Sequence, residues 1–98
     1  MEDRYSRTAL LLGEAGVEKL KRSRVAVFGL GGVGSWCAEA LARAGVGSLA
    51  LIDKDVVEES NCNRQLVALT STIGRAKADV MRERVLDINP ACRAEAYK

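Results

Sequence analysis

Gly29, Gly31 and Gly34 stand at G-x-G-x-x-G spacing in the run RVAVFGLGGVG, with a further glycine at Gly32. Glycines so spaced let a backbone pass close to a pyrophosphate, and a helix that starts behind them aims free N–H groups at it. Asp53 follows about 20 residues after the last glycine, where a carboxylate accepts hydrogen bonds from ribose hydroxyls. The plainer alternative is a strand-end aspartate capping its own loop. Asp55 could support the same ribose or a bound Mg²⁺, or simply face water. Beyond them come Asn61, Arg64, Gln65 and Lys77, two amides and two cations. A hydride-transferring dinucleotide enzyme needs no such cluster, because its reactive atom lies in the nicotinamide ring. A site that transfers an adenylyl group must offset charge growing on the α-phosphate and on the departing pyrophosphate, which fixed arginine and lysine donors do. Singly, each of the four is an ordinary surface residue. Together they form a pattern.

These residues need elements to hold them. Val25 to Phe28 is a short, β-branched apolar run of the kind buried on both faces of a parallel sheet. A helix over Ser35 to Ala44 follows, with Trp36, Cys37, Ala40, Leu41 and Ala44 at helical spacing, ended by Gly45 and Gly47. Ser48 to Ile52 reads as a second buried strand. The connection from Asp53 to Thr72 is polar, with a short helical turn expected around Asn63 to Val67. A long polar connection at the carboxyl end of a parallel strand is more often a binding loop than a spacer. Gly74 to Ile88 is an amphipathic helix with Val80, Met81, Val85 and Ile88 inward and an Arg75–Asp79 i,i+4 pair outward, stopped by Asn89-Pro90. Cys92 to Tyr97 makes a third strand. Ahead of all this, Thr8 to Leu12 and Val17 to Lys21 read as two short helices around Gly13 and Gly16.

The expected fold class is therefore α/β. Residues 24–98 form a Rossmann-like β-α-β-α-β half of a doubly wound parallel sheet, strand order 3-2-1, behind a helical arm over residues 1–23. Such a sheet seats its ligand beside the first strand, with a fourth strand on the other side. The 98 residues hold no fourth strand, so they read as half of a nucleotide-binding domain and are expected to be inactive alone.

Composition narrows the chemistry. With 48% hydrophobic and 29% charged residues the chain can bury a core. A net charge of +2 is too small to argue for nucleic-acid binding by itself. No apolar run reaches the length of a membrane span, and the charged MEDRYSR start lacks a signal peptide's apolar core, so a cytoplasmic location is expected. Cys37, Cys62 and Cys92 form no C-x-x-C pair, which argues against a zinc site or a disulfide scaffold. Cys37 is expected in the core and Cys62 in a structural role. With no histidine, chemistry must rest on carboxylates, arginine, lysine and backbone amides.

The run GLGGVGSWCAEALARAGVGSLALIDKDVVEESNCNRQ, followed by IGRAKADV, resembles the ThiF/MoeB/HesA family of ATP-dependent adenylating enzymes, relatives of the ubiquitin-activating enzymes. The family's motifs occur in order: the glycine turn at Gly29–Gly34, a GVG-to-D-x-D strand end at Gly45–Asp55, SN-x-x-RQ at Ser60–Gln65 and G-x-x-K at Gly74–Lys77. The likeness extends to RYSR at Arg4–Arg7 and to the INP ending at Pro90. It implies ATP with Mg²⁺ as cofactors, the turn around Gly32 as the nucleotide pocket, and Asp53 on the ribose. It places Asn61, Arg64, Gln65 and Lys77 around the phosphates, Arg64 and Lys77 being the catalytic cations. It also implies that Arg7 reaches into a neighbouring subunit's site, hence a homodimer; a solvated terminal arginine is the alternative. An acid that holds Mg²⁺, and any catalytic cysteine, would lie after Lys98.

Within the family, GGVGSW-x-AEALAR, N-x-NRQ, AKADVM-x-ER and INP-x-C are most similar to the tRNA-modifying branch. There ATP activates the carboxylate of a threonylcarbamoyl group on a tRNA adenosine, which then cyclises with loss of water. Other members adenylate the C-terminus of a ubiquitin-like or sulfur-carrier protein. The branches share the first step and differ in the acyl acceptor. An NAD(P)-binding oxidoreductase half-domain is the alternative from another class, and a non-catalytic interaction fragment a third.

Overall fold

A crossover between parallel strands is right-handed, so two crossovers stepping the same way across a sheet leave both helices on one face. That geometry organises this chain. The computed structural model describes residues 3–98. Its elements are α1 (Ser6–Lys21), β1 (Arg24–Phe28), α2 (Gly34–Ala44), β2 (Ser48–Ile52), α3 (Lys77–Ile88) and β3 (Arg93–Tyr97), with 3-10 turns at Glu59–Asn63 and Thr70–Thr72. The strands are parallel in the order β1-β2-β3, in the register Val25↔Leu49↔Ala94. This is the expected 3-2-1 arrangement.

Side chains alternate across a strand. Val27, Leu49, Leu51 and Ala94 are buried on the face covered by α2 and α3, where Ala38, Ala42, Met81 and Val85 meet them. The opposite face carries Arg24, Ala26, Phe28, Arg93, Glu95 and Tyr97, all exposed. Burial of β1 on both faces, expected from its apolar run, is therefore not found: only Val27 is buried in it. Both crossover helices lie on the same side.

The arm follows the expected division. Gly13 adopts φ 75 and ψ 165, a conformation open essentially to glycine alone, and α1 breaks there. The second half starts earlier than Val17, running on from the break through Gly16. Arg4 reaches the Ile88 carbonyl, and the Lys21 ammonium lies 5.5 Å from the centre of the Tyr5 ring.

In α2 the buried residues are Ser35, Ala38, Glu39 and Ala42, not the Trp36–Cys37–Ala40–Leu41–Ala44 stripe. The helix is turned by about one residue, or ~100°. Its alanines make either stripe small enough to pack, and its two inward polar groups are fully engaged. The Ser35 hydroxyl donates to the Gly31 carbonyl at 2.5 Å. Glu39 is clasped by Arg84 of α3, and by Arg43 at 3.3 Å. The Arg84 hydrogen bond holds the Glu39 carboxyl below the usual carboxylate range. Cys37 is consequently exposed rather than core, and so is Cys62, whereas Cys92 is buried and its thiol is pushed up by burial.

The third helix begins at Lys77, not Gly74. Residues 74–76 are instead paired with the loop after β2: Gly74 N–H donates to the Val57 carbonyl, and Val57 N–H to the Arg75 carbonyl, each at 2.8 Å. Because Arg75 is not helical, i,i+4 spacing does not pair it directly with Asp79, which acts on it only as a nearby charge. Arg75 forms a two-pronged pair with Glu83. The short helical turn falls at Glu59–Asn63 instead of 63–67, because the Asn61 Oδ1 accepts the Glu58 N–H at 2.9 Å and caps it. Among the described residues no helix is long and apolar enough to cross a membrane.

Candidate nucleotide site

The site is built from the glycine turn outward. Gly29, at φ 89, continues the sheet by donating to the Ile52 carbonyl at 2.8 Å. Gly34 then passes so close to the Gly29 carbonyl that a Cβ would collide with it. The turn is locked to the end of β2 by Asp53, whose Oδ2 accepts the Leu30 N–H at 2.7 Å while Oδ1 accepts the Asp55 N–H at 2.8 Å. Both roles weighed for Asp53 are thus compatible. It caps its own loop, and two of a carboxylate's roughly four acceptor positions remain.

The Arg-Gln pair lies over this turn. A Cβ at Gly31 would meet the Gln65 Nε2 at 3.6 Å, and one at Gly32 the Arg64 Cγ at 3.8 Å. Gln65 is 8% exposed, and its Oε1 has no hydrogen-bond partner. The exposed Arg64 guanidinium donates to the Ser60 carbonyl at 3.1 Å and to the Asn63 Oδ1 at 2.8 Å. Asn61 is buried with its amide oxygen used in the cap. Asp55 is exposed, and its carbonyl accepts the Lys77 N–H at 3.0 Å, which ties the first residue of α3 to the Asp53 clasp. Lys77 is 7% exposed, yet among the described residues nothing forms a hydrogen bond or ion pair with its ammonium. Its aliphatic stem is packed away while the ammonium at its tip is left without a protein partner.

The fold therefore gathers Gly29, Gly31, Gly32, Gly34, Asp53, Arg64 and Gln65 at the carboxyl ends of the strands, with Asp55 and Lys77 joined to them through the clasp. Arg7 is not brought there within one chain. It lies two residues from Tyr5, whose ring packs against Gly45 ahead of β2, at the amino ends of the strands and so at the opposite end of the sheet. No group of three or more His, Cys, Asp or Glu among the described residues is arranged to hold a metal ion. A cavity of about 240 Å³ on the bare sheet face, lined by residues such as Arg24, Ser48, Arg93 and Tyr97, contains none of the expected site residues.

Two contributors escape a reading of the sequence. Ser35, fully buried, accepts the Leu66 N–H at 3.2 Å as well as donating to Gly31. Trp36, half exposed, donates its indole N–H to the Arg64 carbonyl at 3.2 Å. A serine and a tryptophan opening an alanine-rich helix were the available signal, but helical periodicity weighs only their apolarity.

Sheet, glycine turn, strand-end acid and overlying Arg-Gln pair define a Rossmann-like α/β unit with a candidate nucleotide site. Residues 5–98 match the model of the ThiF family, and the chain belongs to that family. It is 55% identical over 98 residues to the tRNA threonylcarbamoyladenosine dehydratase of Bacillus subtilis, covering 100% of this chain and 39% of that protein. It is 41% identical over 97 residues to the probable adenylyltransferase/sulfurtransferase MoeZ of Mycobacterium tuberculosis, covering 97% and 25%. Among solved structures, the Escherichia coli tRNA N6-threonylcarbamoyladenosine dehydratase in complex with ATP superposes with a TM-score of 0.92 at 50% identity, over 94% of this chain and 38% of that one. The chain spans about two-fifths of the length of the dehydratases it matches.

Proposed function

We propose that this chain is the ATP-binding part of an adenylating enzyme that activates a carboxylate as an acyl-adenylate, in the cytoplasmic modification of tRNA. The observation that carries this reading is Lys77, whose unpartnered ammonium stands on a buried stem at the first residue of α3, tied to the Asp53 clasp. A hydride-transferring enzyme has no use for it. In the reaction, a carboxylate oxygen attacks the α-phosphorus of ATP, and the bond to the β-phosphate oxygen breaks to release pyrophosphate. Asp53 accepts from the ribose hydroxyls with its remaining lone pairs. The opening N–H groups of α2 face the phosphates, while Arg64 and Lys77 offset the charge growing on them. Gln65, and Asn61 behind it, contribute amide donors. Mg²⁺ accompanies ATP, but the described residues build no protein metal site for it, so this chain would supply at most a carboxylate or two, such as Asp55, beside the phosphate oxygens.

The carboxylate that accepts the adenylyl group follows from likeness. The threonylcarbamoyl carboxylate of a tRNA adenosine, cyclising as AMP departs, is favoured by the 55% identity to a dehydratase over the 41% to an adenylyltransferase/sulfurtransferase. A carrier-protein C-terminus is the second acceptor to test. Arg7, far from its own chain's turn, would act across a homodimer. Calorimetric titration with ATP and with NAD tests the first step. Preference for NAD would sink the proposal, and ATP-dependent pyrophosphate exchange stimulated by a carrier protein but not by modified tRNA would transfer it to the other branch.

A further inference from the structure

We infer that Ser35 and Trp36 act together as positioning residues, a clamp that sets Arg64 and Gln65 against the glycine turn. The inference rests on the nucleotide-site reading above. Trp36 Nε1 holds the carbonyl of Arg64 and Ser35 Oγ holds the N–H of Leu66, at 3.2 Å each. Two consecutive residues of α2 thus grip the backbone on either side of Gln65. Among the described residues these are the hydrogen bonds that tie residues 59–68 to α2. The loop's other bonds are mostly to itself, such as Gln65 N–H to the Asn61 carbonyl at 2.9 Å and Ala68 N–H to the Gln65 carbonyl at 3.0 Å.

The same Ser35 hydroxyl donates to the Gly31 carbonyl at 2.5 Å. One buried oxygen therefore joins the turn under a phosphate to the loop above it, and a shift of either is felt by the other. What the clamp delivers is the Gln65 amide, nine-tenths buried, lying over Gly31 with its Oε1 unpartnered. Trp36 is 53% exposed, and its indole N–H is the hydrogen bond it makes to the loop. Holding polar groups rigidly where a ligand's charge will sit is what makes a binding site pre-organised.

Trp36 is also the chain's single tryptophan, so its emission reports on the clamp without labelling. The experiment titrates ATP and adenosine into the wild-type chain, Ser35→Ala and Trp36→Phe, by calorimetry. Each variant is expected to bind ATP about tenfold more weakly, equivalent to about 1.4 kcal/mol. Adenosine affinity, which depends on Asp53, should stay within about twofold. General destabilisation would weaken both ligands alike. The double variant should lose well under a hundredfold, because both bonds hold one loop. ATP should shift Trp36 emission in the wild type, and Ser35→Ala should shrink that response. Variants that bind ATP as the wild type does, or lose ATP and adenosine equally, overturn the clamp alone. A wild-type chain that binds no ATP overturns the nucleotide reading and the clamp with it.

Discussion

Replacing Glu39 by glutamine removes a charge held between two helices and keeps its shape. The carboxylate is 9% exposed as a residue and is shared by Arg84 from α3 and Arg43 from its own helix. Hydrogen bonds to charged groups contribute about 1.5–3 kcal/mol, and removing one partner of a fully buried pair costs about 3–5 kcal/mol. The two arginine side chains are 37% and 60% exposed, so water re-solvates them and the lower range applies. Glutamine retains one acceptor, which brings the expected loss to about 1–2 kcal/mol. In a domain of this size each kcal/mol lowers the melting temperature by about 4–8 °C. Arg84, then burial in opposition, then Arg43 shift the Glu39 carboxyl, and the net direction is downward from 4.5. A depressed carboxyl stabilises the fold above its unfolded pKa, and that contribution is lost as pH falls through the folded value. Wild type and Glu39→Gln should therefore differ in urea titrations at pH 7, and the difference should shrink as the pH falls below the ordinary carboxylate range. Equal midpoints at pH 7, or a difference undiminished in acid, would refute this account of the α2–α3 contact.

Lys77→Met keeps the buried stem and removes an ammonium that no protein group engages, so urea stability should stay within about 0.5 kcal/mol, while ATP affinity should fall at least tenfold. A parallel loss of stability would show that Lys77 is structural. Gly34→Ala drives a methyl group into the Gly29 carbonyl and should destabilise by more than about 2 kcal/mol, measured by the thermal midpoint. In native buffer a chromogenic thiol reagent should modify Cys37 and Cys62 quickly and Cys92 only on unfolding. Three fast thiols would contradict the placement of Cys92 beneath the sheet.

The strands and the glycine turn were legible because their signals are local: short apolar or alternating runs, a glycine spacing that only a close backbone approach requires, and an aspartate at a fixed distance. The strand order followed from crossover handedness. What misled were features whose partners lie far away in sequence. The inner face of α2 holds Ser35 and Glu39, polar residues satisfied by Leu66 and Arg84, which a count of apolar positions assigns to solvent. Arg75 looked helical until the pairing of residues 74–76 with the loop after β2 removed the spacing that would join it to Asp79. The helical turn moved to Glu59 because a single amide, Asn61, caps it there. At the site, the residue types Asp53, Arg64, Gln65 and Lys77 were visible in sequence, but not that Lys77 would be buried or that α2 would hold the loop in place.

Crossover helices on one side of the sheet alone make the strands two-faced in their tolerance of change. Along β1 and β3, side chains directed away from α2 and α3, such as Phe28 at 79% exposure, hold up little of this chain's own stability, while Val27 and Ala94 next to them are enclosed. Scored substitution by substitution, damage along each of these strands should rise and fall with a two-residue beat, where a sheet covered on both sides would resist change at every position.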